Sequence, residues 1–252
     1  MVLLLSLLAC SPDAAKAPVT LDEALLRVLT DFSAAQAVPL AEDLATLVEE
    51  EVLPAEDGVT LGAITAESVA GLAYEGNPDW DQVYGGAIAR TLEGPMRRYA
   101  ESAVEADQAA VIGDGYASWD RTLVEGSASG YLAGGPLTAE DAVVKEAPFG
   151  ITLPYPLRKE WLTVTTPRGE VQLIRSVIYR EGWSDDRKNG VIVAFTVELW
   201  MPADIGITWF NGTWTQVVTP LGDIATPEFM VGQILGGAED AMTGTEAWVN
   251  AR

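Results

Sequence analysis

Asn189-Gly190-Val191-Ile192-Val193-Ala194-Phe195-Thr196-Val197-Glu198-Leu199-Trp200-Met201 is the stretch that decides how this chain folds. Val191, Val193, Phe195, Val197, Leu199 and Met201 occupy alternate positions, with Thr196 and Glu198 between them. Successive side chains of a strand point to opposite faces, so this alternation predicts a β-strand with one buried side. The Asn189-Gly190 pair ahead of it supplies the positive φ values of a tight hairpin turn. Trp200 breaks the pattern, because it falls on the face opposite Phe195 and Leu199. Ile174, Ile178 and Ile192 are assigned to the same second face. An apolar second face has to be covered by helices, line a pocket or meet a partner, and covering helices are the usual solution.

Working outward, further strands are expected near 160–166, 170–182, 205–210 and 213–219. Pro167-Arg168-Gly169 and a second Asn-Gly pair, Asn211-Gly212, mark turns between them. An earlier pair is expected at 116–124 and 128–133, joined through Glu125-Gly126-Ser127. Thr226-Pro227-Glu228 opens a C-terminal helix with Val231, Ile234, Leu235, Ala238 and Met242 on one side. Upstream, the chain reads as helices. Thr20-Leu21-Asp22-Glu23 is a capping box ahead of Leu25, Val28, Leu29 and Phe32. Pro39 opens a second helix, and Pro54 marks its end. A shorter helix is expected after Thr65. Asn77-Pro78-Asp79 reads as the start of another, running through Val83, Ile88 and Leu92, and Gly94-Pro95 separates it from one through Met96 and Tyr99.

The expected fold class is therefore α+β. An N-terminal helical part (20–112) precedes an antiparallel meander of about five to seven strands packed by a C-terminal helix (113–252). In element order, residues 116–248 resemble the START-type helix-grip fold. That resemblance implies a sheet closed around a long helix, with a cavity for lipids or other apolar ligands.

The one cysteine, Cys10, ends the apolar run Leu3-Leu4-Leu5-Ser6-Leu7-Leu8-Ala9. With Val2 the apolar or small residues number eight, well short of the roughly 20 that cross a bilayer. Ser11-Pro12-Asp13-Ala14-Ala15-Lys16-Ala17-Pro18 follows, with the composition of a tether. Leu7-Leu8-Ala9-Cys10 resembles the lipobox of bacterial lipoproteins. The resemblance implies a signal peptide at 1–9, a tether at 10–19 and diacylglyceryl and N-acyl chains on Cys10, which suffice for stable anchoring. Ser11 in the position that sorts such proteins implies the outer membrane. No Lys or Arg precedes the run, a departure from the pattern that is expected to mean a start upstream of Met1 with the basic segment there.

With 37 acidic against 15 basic residues, no histidine and a net charge of −22, nucleic acid is excluded as an expected partner. The missing histidine and second cysteine remove Cys/His zinc sites, Ser-His-Asp and Cys-His systems and internal disulfides. Asn77, Asp79 and Asp81 are spaced like calcium ligands. Gln82 and Ile88 stand where such a loop needs glycine and a bidentate glutamate, so a helix cap is the better reading. Asp185 and Asp186 sit adjacent on a turn, whereas glycosidase acids stand about 5–9.5 Å apart across a cleft. No metal, cofactor or catalytic residue is expected.

All of the eight tryptophans except Trp80 lie in the sheet part, 113–252. Trp200, Trp209, Phe210 and Trp214 are the candidate contacts for a ligand or partner, the last three flanking the expected turn at Asn211-Gly212. The leading expectation is a lipid-anchored, non-enzymatic envelope protein that binds or assembles with an envelope partner. A carrier of a small apolar ligand in a sheet–helix cavity is the alternative, and a carboxylate-dependent glycan hydrolase comes last.

Overall fold

The computed structural model describes residues 19–147, 150–220 and 226–252. Residues 1–18, which include Cys10, Ser11 and all of the tether but Val19, lie outside the described residues. The chain begins with α1 (Leu21–Thr30), capped reciprocally: Thr20 N donates to Glu23 Oε2 at 3.0 Å and Glu23 N to Thr20 Oγ1 at 3.3 Å. Helix α2 (Ala37–Leu47) continues as a π-helical turn at Val48–Val52, with Pro39 inside its first turn. Strand β1 (Val59–Leu61), a 3₁₀ turn (Trp80–Gln82) and β2 (Tyr84–Glu93) follow, then α3 (Met96–Ala103) and α4 (Gln108–Ile112). Next come β3 (Tyr116–Glu125), α5 (Ala128–Tyr131), β4 (Leu137–Ala147), β5 (Ile151–Thr166) and β6 (Gly169–Val177). The chain finishes with β7 (Gly182–Trp183), β8 (Gly190–Ala203), β9 (Gly206–Val218) and α6 (Pro227–Asn250), whose cap Thr226 accepts from Phe229 N at 3.3 Å.

All nine strands join one antiparallel sheet in the order β1-β2-β9-β8-β6-β5-β4-β3, with β7 paired to β8. This is the expected α+β architecture, with more strands than the sequence suggested. The additional central member is β2. Residues 84–93, read as helix, instead pair with β9 on one side and β1 on the other. Two glycines decide this. A Cβ at Gly85 would come within 2.6 Å of the Trp214 ring, and one at Gly86 within 3.1 Å of Leu235. At these two positions β2 is approached closely from both faces by partners far along the chain.

The second Asn-Gly pair is also corrected. Asn211 and Gly212 lie inside the continuous strand β9, and the reversal between β8 and β9 is made at Asp204–Ile205. Gly212 serves packing: a Cβ there would meet Phe210 Cζ at 3.0 Å and Leu25 Cδ1 at 3.1 Å. Residues 128–131 form the short helix α5, with Ser127 Oγ accepting from Gly130 N at 3.1 Å, so the strand expected at 128–133 is absent. The segment after Thr65 forms turns and no helix. Asp79 caps the 3₁₀ turn by accepting from Asp81 N at 3.3 Å.

The sheet carries a core on each face. Under α1 and α2, Leu25, Leu29 and Leu44 pack with Phe195, Val197, Leu199, Phe210 and Trp214, all fully buried. Each such side chain contributes about 1.5–3 kcal/mol by leaving water. On the opposite face, Ile88, Trp161, Ile174, Trp200 and Trp209 meet Tyr99 of α3 and Met242 and Val249 of α6. Ile174 thus shares the face of Trp200 as expected, whereas Ile178 belongs to the core under α1 and α2.

Candidate ligand-binding cavity

Between the second face of the sheet and α6 lies a cavity of about 750 Å³. It exists because α6 turns its small side chains toward the strands. Gly237, Ala238 and Ala241 lie along one stripe of the helix with Ile234 and Thr245, and all line the space. The last two turns of α6 pack tightly, with Met242 and Val249 closing one end against Tyr99, Trp200 and Trp209. The glycine at 244 brings α6 against α4, where a Cβ would overlap Ile112 O. The other end of the cavity is lined by Gln82, Glu146 and the half-exposed Phe229, whose relative exposure is 51%.

The strand side of the cavity is ordered in rows by the sheet register. Trp200 stands opposite Trp209, Glu198 between Ile174 and Asn211, and Thr196 between Ser176 and Thr213. Each row presents cavity-side residues because they are even-numbered on β6 and β8 and odd-numbered on β9. Aromatic rings close the deep end: Trp200 and Trp209 have centroids 5.0 Å apart, and Tyr99 lies 6.3 Å from each. Leu153, Leu157, Val111 and Ile112 supply much of the remaining wall.

Two buried ion pairs flank this space, and they differ in how completely they are satisfied. Arg121 and Asp141 are closed: Arg121 Nε donates to Asp141 Oδ1 at 2.8 Å and Nη2 to Oδ2 at 2.6 Å. Trp119 Nε1 donates to Asp141 Oδ2 at 2.8 Å, and Arg121 Nη1 to Ala103 O at 2.8 Å. Lys159 and Glu198 are half closed. Lys159 Nζ donates to Glu198 Oε1 at 2.6 Å, while Glu198 Oε2 is buried with no hydrogen-bond partner among the described residues. Ser176 Oγ and the indole nitrogens of Trp161, Trp200 and Trp209 are buried without partners as well. A buried polar atom left unpaired costs about 1–3 kcal/mol, so five such residues lining one cavity are unusual in a native interior.

Toward α6 the cavity holds a second lysine, Lys145, whose ammonium lies 5.9 Å from the Tyr116 ring centroid. Burial holds its pKa below the ordinary lysine value, and Asp240 partly offsets this. Burial, reinforced by Asp240 and Glu198, pushes Tyr116 up to about 12, and burial raises Tyr155 well above its usual range. The interior thus disfavours unpaired charge.

The four aromatic residues singled out in the sequence are divided by the sheet. Trp200 and Trp209 line the cavity. Phe210 and Trp214 face the core under α1 and α2, where Trp214 Nε1 donates to Gly62 O at 2.9 Å. They do not flank a turn, because β9 is continuous, and alternation sends Trp209 and Phe210 to opposite sides. Trp161, Ser176 and Lys159 were missed. Their signal was position: each lies on the cavity side of β5 or β6, which becomes visible only when the register is known. Asp186 stays on the exposed hairpin, bonded to Ser184 Oγ at 2.8 Å, and Glu49 pairs with Arg168 at 2.9 Å.

Sheet, helix and enclosed space together define an α+β protein with an internal cavity between an antiparallel sheet and its C-terminal helix. No protein-family model matches the sequence, and no curated protein does. Among solved structures the chain is similar to a protein from Thermus thermophilus, at 14% identity over 66% of this chain and 97% of that one, with a TM-score of 0.47. A STAR-related lipid transfer protein fragment from Xanthomonas axonopodis is similar at 8% identity over 67% and 85% of the two chains, TM-score 0.43. The Zhui aromatase/cyclase from a Streptomyces species is similar at 8% identity over 68% and 95%, TM-score 0.41.

Proposed function

We propose that this protein binds a small, largely apolar ligand in the cavity between its sheet and α6, without transforming it. We place it at the bacterial cell envelope, tethered by a lipid on Cys10. The ligand reading is carried by the cavity itself. Its volume of about 750 Å³ falls within the roughly 300–1,000 Å³ of small-molecule sites, and apolar and aromatic side chains such as Leu157, Trp161, Trp200 and Ile234 share its wall with polar and charged ones. Folding alone does not favour such a space, since side chains bordering a void lose dispersion contacts on that side. The cavity favours a carrier over a module that acts only through its surface. The envelope reading is supported by the lipobox-like Leu7-Leu8-Ala9-Cys10 and the tether composition after it.

Native mass spectrometry of protein taken from the envelope tests the first part. A reproducible small-molecule mass, released on denaturation, is expected. Protein that never carries one, from any growth condition, and that binds no apolar probe would overturn the reading. For the anchor, Cys10→Ala should abolish metabolic lipid labelling and move the protein out of the membrane fraction. Unchanged membrane retention with no lipid on Cys10 would remove that part alone.

A further inference from the structure

The cavity's unpaired polar atoms are not scattered. They sit on adjacent rows of the sheet at its deep end, away from the exposed Phe229, and include one carboxylate. Glu198 is only 3% exposed, and Lys159 takes one of its two oxygens. The other oxygen can only accept a hydrogen bond. Asn211 stands directly opposite Glu198, its Oδ1 accepting from Thr213 Oγ1, and on the rows to either side stand further groups that donate: Ser176 Oγ–H and the indole N–H groups of Trp200 and Trp209, with Trp161 beyond Ile174. The fold is able to close a buried carboxylate completely, as Asp141 shows with Arg121 and Trp119. The partner that Glu198 lacks is therefore sought outside the chain.

The chemistry of that partner is narrow. A ligand carboxylate would bring a second negative charge against Glu198. A ligand ammonium would stand beside the Lys159 ammonium and leave the donors unmet. A hydrocarbon would leave every group as it is. A neutral hydroxyl gives one hydrogen and accepts others, which matches one free acceptor flanked by donors.

We propose that the deep end of the cavity recognises the hydroxyl group of a neutral alcohol or phenol, whose apolar body fills the space under α6. Glu198 Oε2 accepts the ligand O–H, while Ser176 and the indole N–H groups donate to its oxygen. This rests on the ligand-binding reading above and adds the ligand's polar chemistry to it.

The test uses three probes of one shape: 1-methylpyrene, 1-pyrenemethanol and 1-pyrenecarboxylate. Binding to the full 252-residue chain carrying Cys10→Ser, so that no acyl chain competes, is followed by energy transfer from tryptophan to pyrene. The alcohol should bind about tenfold tighter than the methyl compound, as a hydrogen bond to a charged group provides, with the carboxylate weakest. Replacing the ion pair by Lys159→Met together with Glu198→Leu should bring the alcohol to within about threefold of 1-methylpyrene, because the recognising group is gone. Equal affinity for alcohol and methyl probes in the wild-type chain, or preference for the carboxylate, would overturn the inference while leaving the ligand-binding reading in place. An alcohol preference that survives in the double variant would overturn the role of Glu198. Failure of all three probes, 1-methylpyrene included, would count against the ligand-binding reading itself. Should the double variant not fold, the wild-type ranking decides alone.

Discussion

Beneath α1 and α2, Trp214 is fully buried and its indole N–H reaches Gly62 O at 2.9 Å. Across the sheet, Trp200 and Trp209 are 3% and 7% exposed, and their indoles donate to nothing among the described residues. The same side-chain type, on two faces of one sheet, completes a core on one side and borders a cavity on the other. The helices opposite make the difference. Helices α1 and α2 offer Leu25, Leu29, Leu40 and Leu44, which interdigitate with the strands, whereas the middle of α6 offers Gly237, Ala238 and Ala241. Close packing is the norm for interiors, and the second face departs from it while keeping unmet polar groups.

The comparison can be broken most forcefully at the two ion pairs. Asp141→Ala strips Arg121 and Trp119 of their acceptor and should cost about 3–5 kcal/mol in urea unfolding, because it strands a buried charge. Removing both partners at Lys159 and Glu198 with apolar residues should be close to neutral on the same measurement. A large loss from the double replacement would mean that this pair holds the fold as the other does.

Truncation on each face comes next. Phe210→Ala should lower stability by about 3–5 kcal/mol, since its ring is enclosed on every side. Trp209→Ala should cost clearly less despite the larger side chain, because part of its surface already borders the cavity. Equal losses would indicate that the second face is packed as tightly as the first.

Filling the space is a gentler intervention. Gly237→Leu places a side chain toward the cavity, near the movable end of Lys145, which lies 3.0 Å from the site of the new Cβ. Stability should stay level or rise by up to ~1 kcal/mol from improved helix propensity, while binding of 1-methylpyrene is lost. Retained binding would place the ligand elsewhere.

The smallest effect is alkaline. Tyr74 and Tyr116 are each pushed up to about 12 by burial, so the folded chain keeps protons that the unfolded chain has released above about 10. The stability they contribute is present below pH 10 and is lost as pH rises through 12. Lys145 acts in the opposite sense, its depressed pKa favouring the fold increasingly as pH rises toward 10.5 and no further. The urea midpoint should therefore fall above pH 10.5, and Tyr116→Phe should make that fall shallower. An unchanged slope would mean that this hydroxyl is not buried in solution.

Features with a local cause were legible in the sequence. The Thr20–Glu23 box and Thr226 cap their helices as read, since capping involves atoms three residues apart. Strand β8 places Val193, Phe195, Val197, Leu199 and Met201 in one core, as period-two alternation requires. Strand β2 was read as helix, because apolar spacing through Val83, Ile88 and Leu92 hid two glycines needed by Trp214 and Leu235. Asn211-Gly212 carried a turn signal, yet Gly212 is needed where Leu25 comes close. In both cases a contact distant in sequence overrode a local preference.

The sequence by itself determined the charge balance, the helix caps and the alternating strands of an α+β chain. Those are properties of composition or of neighbours a few residues apart. Only the tertiary structure decided which tryptophans complete a core and which line a cavity, and it alone brought Glu198, Ser176 and Trp161 to one wall. Strand register and the placement of small residues on α6 create that wall, and both depend on pairings between segments far apart in the chain.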